Sequence, residues 1–180
     1  NLYAVNVLVA LECGFARIAR GCNKNIRCAL FSGLFKSQRE KTGHDLSQMT
    51  EDEIRVVAKS YGVEDTEKMG KGKLIDEIFG ETCEGSFIQP TFITDYPVEM
   101  SPLTKMHRSK QGLTERFELM VNGKELANAY SELNDPIDQY NRFMEQMKLA
   151  DKGDDEAMII DHDFMSELEY GMPLTTDIGI

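Results

Sequence analysis

Glu118, Glu125, Asn128, Tyr130 and Glu132 lie within one short stretch of the chain. Their types point to two kinds of chemistry. Two carboxylates held close together repel unless a cation sits between them. A hard divalent ion such as Mg²⁺, bound by one or two carboxylates plus substrate phosphates, is the natural occupant for Glu118 and Glu125. Asn128, Tyr130 and Glu132 are spaced two apart, so on a strand they share a face. Such a row offers an amide to orient a polar group, a ring to wall a pocket and an acid to bind an ammonium. On spacing alone, the same residues also fit the solvated face of an ordinary strand.

The element that must position them is a hairpin. RFELMV and KELANAYS flank Asn122-Gly123, a dipeptide that favours a two-residue turn because both positions need positive φ. In an unbroken register Val121 faces Lys124, Met120 faces Glu125 and Glu118 faces Ala127. Glu118 and Glu125 are then diagonal neighbours on one face. Glu125 and Asn128, however, differ in parity. Either there are two sites on opposite faces, or a bulge near Leu126-Ala127 brings the two sets together.

The elements around the hairpin are punctuated clearly. Thr50-Glu-Asp-Glu53 is a capping box ahead of Ile54, Val57, Ala58 and Tyr61 at helical spacing, with Gly62 as the stop. Leu74, Ile75 and Ile78 line one face of a helix over Lys71–Phe79. The preceding MGKGK lacks the spacing and the Ser/Thr of a phosphate loop. SFIQPTFIT (86–94) reads as a strand in which Pro90 marks an edge or an irregularity. Asp135-Pro136 starts a helix whose apolar face is Ile137, Tyr140, Phe143, Met144 and Met147, closed by Gly153. Asp161 caps a further helix through Phe164, Met165 and Leu168, ended by Gly171 and Pro173. PLTTDIGI turns into a strand.

Composition bounds the function. A chain of 180 residues at 41% hydrophobic can bury a core as one domain or a large piece of one. The net charge of −11 argues against a general nucleic-acid surface. No apolar run is long enough to span a membrane. Cys13, Cys22, Cys28 and Cys83 fit no zinc spacing, and such thin usage points to a reducing cytosol. Residues 1–39 hold six Lys/Arg against one acid, a balance of +5, whereas residues 40–180 hold 14 against 30, a balance of −16. That step marks a boundary near residue 40. The opening NLYAVNVLVALECGFARIAR lacks the basic residues that precede the apolar stretch of a secretory leader and reads as a short buried or amphipathic helix. His44, His107 and His162 have no ligand spacing and are expected in loops or caps. Lys105, His107, Arg108 and Lys110 form a small basic cluster with no assigned role.

Four blocks in order, KGKLIDEIFG (71–80), PTFITDYPVEMSPL (90–103), LTERFELMVNGKELANAYSELNDPIDQ (113–139) and KGDDEAMIIDHDFMSELEYGMPLTT (152–176), resemble the catalytic domain of class II lysyl-tRNA synthetases. The likeness runs from about residue 40 to 180. It implies an α+β fold, a mainly antiparallel β-sheet flanked by helices. It also implies activation of lysine by ATP to lysyl-adenylate and transfer to tRNA(Lys), in a cytoplasmic homodimer. By the same resemblance Glu118 and Glu125 hold the Mg²⁺ that bridges the ATP phosphates. Asn128, Tyr130 and Glu132 line the lysine pocket, with Glu132 helping to bind an ammonium group. That set favours the bulge over two sites.

The family's anticodon-binding barrel, dimer motif and two ATP-binding arginines have no match in this chain, so these 180 residues alone are expected to be catalytically weak or dead. Residues 1–39 do not resemble the family. A shifted reading frame or an assembly error upstream would explain the junction, the charge and the cysteines together. It predicts a synthetase-like peptide in another frame of the upstream nucleotides. Two other readings stand beside the ligase: a synthetase-like binding module that does no chemistry, and the related ligase that attaches lysine to an elongation factor.

Overall fold

In a computed structural model of the chain, residues 30–151 and 158–180 are described. The opening helix expected before residue 21, Cys13, Cys22, Cys28 and the stop at Gly153 lie outside them. Five strands form one sheet: β1 (Leu30–Gly33), β2 (Thr91–Thr94), β3 (Arg116–Val121), β4 (Lys124–Ser131) and β5 (Thr176–Gly179), in that spatial order. β1 runs parallel to β2, and every other pair is antiparallel. The mainly antiparallel sheet expected from the resemblance is therefore present.

Helices α1 (Leu34–Thr42), α2 (Glu51–Ser60) and α3 (Lys71–Thr82) connect β1 to β2. α1 runs across the step in charge near residue 40 without a break. The capping box on α2 forms as the sequence predicts. The Thr50 hydroxyl accepts from the Glu53 amide, and the Glu53 carboxylate takes the Thr50 amide at 2.8 Å. Leu34, Ile54, Val57, Leu74, Ile75 and Ile78 from the three helices close over Ile93 and Met120 of the sheet, making the main core. α3 extends three residues beyond the predicted Phe79. Gly70 and Gly72, in the MGKGK run, serve packing: a Cβ at Gly72 would lie 2.4 Å from the Glu99 carbonyl oxygen. α3 can therefore press against the turn Val98–Met100 only with glycine there.

The strand expected over 86–94 is shorter, because β2 begins only after Pro90. Ser86 ends a 3-10 turn, and the carbonyls of Phe87 and Ile88 instead accept from Gly123 and Asn122 at the hairpin tip (3.0 and 3.2 Å). Asn122 and Gly123 have φ of 54° and 69°, the positive values that the two-residue turn requires.

α4 (Pro136–Ala150) and α5 (His162–Gly171) start at the predicted Asp135 and Asp161 caps, each carboxylate accepting two backbone amides. α5 brings Met165 and Leu168 against Phe143 of α4. The apolar face predicted for α4 is corrected. Of its five residues only Phe143 is buried, while Ile137, Tyr140, Met144 and Met147 are exposed. Gln139 and Arg142 turn inward instead. Arg142 donates to the carbonyls of Ser101 and Thr104 (3.1 and 2.7 Å) and Gln139 to that of Pro102 (3.1 Å). Buried carbonyls must find donors, and here that requirement outranks the burial of apolar side chains.

Candidate functional site

The hairpin carries a bulge. Met120 pairs with Glu125 and Val121 with Lys124 as an unbroken hairpin would have it, but Leu119 pairs with Ala127 and Glu118 with Asn128. Leu126 is the extra residue, and it is exposed. The predicted pairing of Glu118 with Ala127 is therefore off by one, and the bulge between Glu125 and Ala127 is the reason. A one-residue shift exchanges the faces of everything beyond it. Here it puts Arg116, Glu118, Glu125, Asn128 and Tyr130 on one face. Phe117, Leu119, Ala127 and Ala129 take the other, where Phe117 and Ala129 pack with Phe92. Had the strand stayed unbroken, either the alanines or the polar row would have faced the wrong way.

At the near end of this face, Glu118 is buried and ion-paired with Arg116. The Asn128 amide donates to the same carboxylate oxygen at 3.3 Å. Arg116 was not singled out in the sequence, although it sits two residues before Glu118 and so shares its face. Its Nε donates to Asn128 Oδ1 at 3.2 Å, its Nη1 to the Met100 carbonyl and Ser101 Oγ at 3.2 and 3.0 Å. Its guanidinium lies 4.5 Å from the centroid of the Tyr96 ring. The Tyr96 hydroxyl is buried without a well-formed hydrogen bond. Burial, then the Glu118 charge, hold that phenol well above the ordinary range. Glu118 itself is raised chiefly by burial, with Glu125 pushing the same way and Arg116 opposing. Glu84 adds a further carboxyl, raised by burial and then by Glu118 and Asp76.

At the far end, Tyr130 and Glu132 meet β5. Tyr130 pairs with Asp177, and the Glu132 backbone bonds to the Thr175 carbonyl at 3.0 Å and bridges Thr104. Glu132 is half-buried, and among the described residues its carboxylate has no hydrogen bond or cation partner. Burial and then Asp177 raise it above the usual carboxylate range. Tyr130 is raised by burial, then by Glu132 and Asp177. This end is acidic and short of a positive charge.

Two residues of this face could hold a divalent cation. Glu118 and Glu125 are hard oxygen donors on one face, close enough for the charge of one to bear on the other. Arg116 and Asn128 both donate to the same Glu118 oxygen. Among the described residues no three His, Cys, Asp or Glu side chains converge on a point. An ion held by these two carboxylates alone would need further oxygen ligands, such as substrate phosphates. The basic cluster, by contrast, is spent internally: Lys105 reaches Asn134, Arg108 pairs with Glu115 and Lys110 with Asp95. His107 Nδ1 accepts the Ser109 and Lys110 amides (3.1 Å each) as a turn cap, and His162 opens α5. His44 lies in the loop after α1.

The sheet with its helices and the polar row on β3–β4 define a class of protein. A family model described as tRNA synthetases class II (D, K and N) matches residues 14–180, and the chain belongs to that family. The match takes in part of the segment before residue 40. Among curated proteins, the lysine–tRNA ligase of Porphyromonas gingivalis is 69% identical over 147 residues, which cover 82% of this chain and 25% of that protein. The lysine–tRNA ligase of Christiangramia forsetii is 67% identical over 141 residues, 78% of this chain and 25% of its own length. That of Azobacteroides pseudotrichonymphae is 61% identical over 141 residues, 78% and 28%. The chain thus spans about a quarter of the length of the relatives it matches. No helix among the described residues is long and apolar enough to cross a membrane.

Proposed function

We propose that this chain is part of the catalytic domain of a cytoplasmic lysine–tRNA ligase, which activates lysine with ATP to lysyl-adenylate and passes it to tRNA(Lys). The observation that carries the reading is the Leu126 bulge, because it gathers both candidate groups onto one face. Asn128, Tyr130 and Glu132 line the lysine pocket. Glu132, acidic and without a cation partner among the described residues, takes the ammonium group, and a half-buried carboxylate left unpaired rejects apolar isosteres of lysine. Asn128 orients a polar group of the amino acid, and Tyr130 walls the pocket.

Glu118 and Glu125 would hold Mg²⁺ together with the ATP phosphates. Such an ion would supply neutralisation of phosphate charge, the chemistry that attack of the lysine carboxylate on the α-phosphate calls for. The half-buried setting of Glu132 strengthens its attraction for an ammonium relative to bulk water.

The test is calorimetric titration of the full chain with L-lysine, followed by lysine-dependent ATP–pyrophosphate exchange, each with Glu132→Ala as control. Binding of lysine that the substitution abolishes supports the pocket. Failure of a folded chain to prefer lysine over norleucine would refute it. Exchange abolished by the same substitution would show that these 180 residues suffice for activation, against the expectation that they are weak or dead alone.

A further inference from the structure

Arg116 spends its donors in an unusual way for a strand arginine. One guanidinium meets Glu118, Asn128, the Met100 carbonyl and the Ser101 hydroxyl, while its flat face rests on Tyr96. Its partners come from three parts of the chain: the segment 96–101, β3 and β4. Planar, always-charged guanidinium suits this fork of contacts, and a lysine ammonium on a flexible stem does not.

The contacts with Asn128 are directional. The amide oxygen of Asn128 accepts from Arg116, and its NH₂ donates to Glu118. Rotating the amide by half a turn would set NH₂ against guanidinium and oxygen against carboxylate, two like-polarity contacts. The orientation of Asn128 is thereby decided by its neighbours. One N–H remains free for a ligand. Arg116 pairs with the same Glu118 oxygen to which Asn128 donates.

We propose that Arg116 is a positioning residue: seated on Tyr96, it fixes the amide of Asn128 and one oxygen of Glu118, and so holds the amino-acid and cation halves of the site in register. The inference rests on the assignment of those two residues given under the proposed function. The rigid seat has its own support. Arg116 is anchored to the 98–101 turn, which α3 presses against at Gly72. Groups of this kind, which orient the residues that touch ligand, commonly carry large effects when replaced.

The experiment is side-chain amide NMR on the ¹⁵N-labelled full chain, with the Asn128 signals identified by their loss in Asn128→Ala. In Arg116→Lys and Arg116→Gln the Asn128 amide is expected to shift toward the position of a solvated amide and to exchange with solvent faster than in the unmodified chain. Tyr96→Leu, which removes the seat, should move the same signals, and Tyr96→Phe, which keeps the ring, should not. Backbone signals of α2 report that each variant remains folded. If Arg116→Gln fails to fold, Arg116→Lys and Tyr96→Leu still decide the matter. Asn128 signals unmoved in a folded Arg116→Lys chain would overturn the proposal, because an arginine serving only the 98–101 turn would lower stability and leave Asn128 unchanged. L-lysine is then added. Affinity roughly 10-fold weaker in Arg116→Lys supports the coupling to the pocket. If the unmodified chain binds no lysine yet Asn128 still responds to Arg116→Lys, the positioning stands and the lysine assignment falls.

Discussion

Glu118 and Glu132 occupy two ends of the same sheet face, and the fold treats them differently. Both carboxyls are raised by burial. Glu118 is answered from within by Arg116 and Asn128. Among the described residues Glu132 has no cation partner, and it stands beside a second acid, Asp177. One carboxylate is built in and oriented before any ligand binds. The other is left in electrostatic debt, which on the proposed reading a ligand ammonium would relieve. Burying a charge costs free energy unless a partner is supplied, and that unmet cost at Glu132 is what the proposed function draws on.

The comparison can be broken most sharply at the Glu132 end. Glu132→Ala should weaken L-lysine binding roughly 100-fold, the order expected when one partner of a desolvated charge pair is lost, as read by calorimetry. It should not destabilise the free chain. The Glu118 end is attacked through its support. Gly72→Ala places a methyl against the Glu99 carbonyl, and overpacking of that kind costs roughly 1–3 kcal/mol, measured by urea unfolding. That change should disturb the Asn128 signals through the 98–101 turn while leaving those of Tyr130 unmoved.

The pH dependence sharpens the contrast. Glu132 has a folded-state pKa above its unfolded value. As pH rises from the unfolded value through the raised folded value, the unfolded chain releases its proton first. Stability from this group therefore falls across that window and is lowest above it. Glu132→Gln should flatten this decline and leave the free chain more stable at neutral pH, in thermal unfolding run at a series of pH values. The smallest effect is expected from Asp177→Asn. Removing an exposed like charge should lower the Glu132 titration midpoint, followed by carboxyl ¹³C NMR, with unfolding free energy changed by only about 0.5 kcal/mol or less.

Much of the scaffold was legible because its signals are local. The Asn122-Gly123 turn, the Thr50 capping box and the Asp135 and Asp161 caps each act over two to four residues, and each forms as expected. The polar set on β3–β4 was legible by type. Parity counted along the strand left two sites or a bulge near Leu126-Ala127 open; the family resemblance favoured the bulge, and the bulge is what forms. Arg116 could have been found from its spacing to Glu118. Tyr96 carried no local signal, since it meets Arg116 only in the folded chain.

The residues by themselves thus determined where α2 to α5 begin, where the hairpin turns and which side chains have chemistry to offer. Caps and turns are satisfied by neighbours in sequence. Tertiary structure decided three other things: the bulge at Leu126, the shortening of β2 to Thr91–Thr94 and the inward turn of Gln139 and Arg142. Each settles a competition between distant groups. Alanines had to reach the Phe92–Phe117 side, the hairpin tip had to find the carbonyls of Phe87 and Ile88, and buried carbonyls at 101–104 had to find donors. None of those partners lies next to the residue it governs, so only the folded chain could choose between the alternatives.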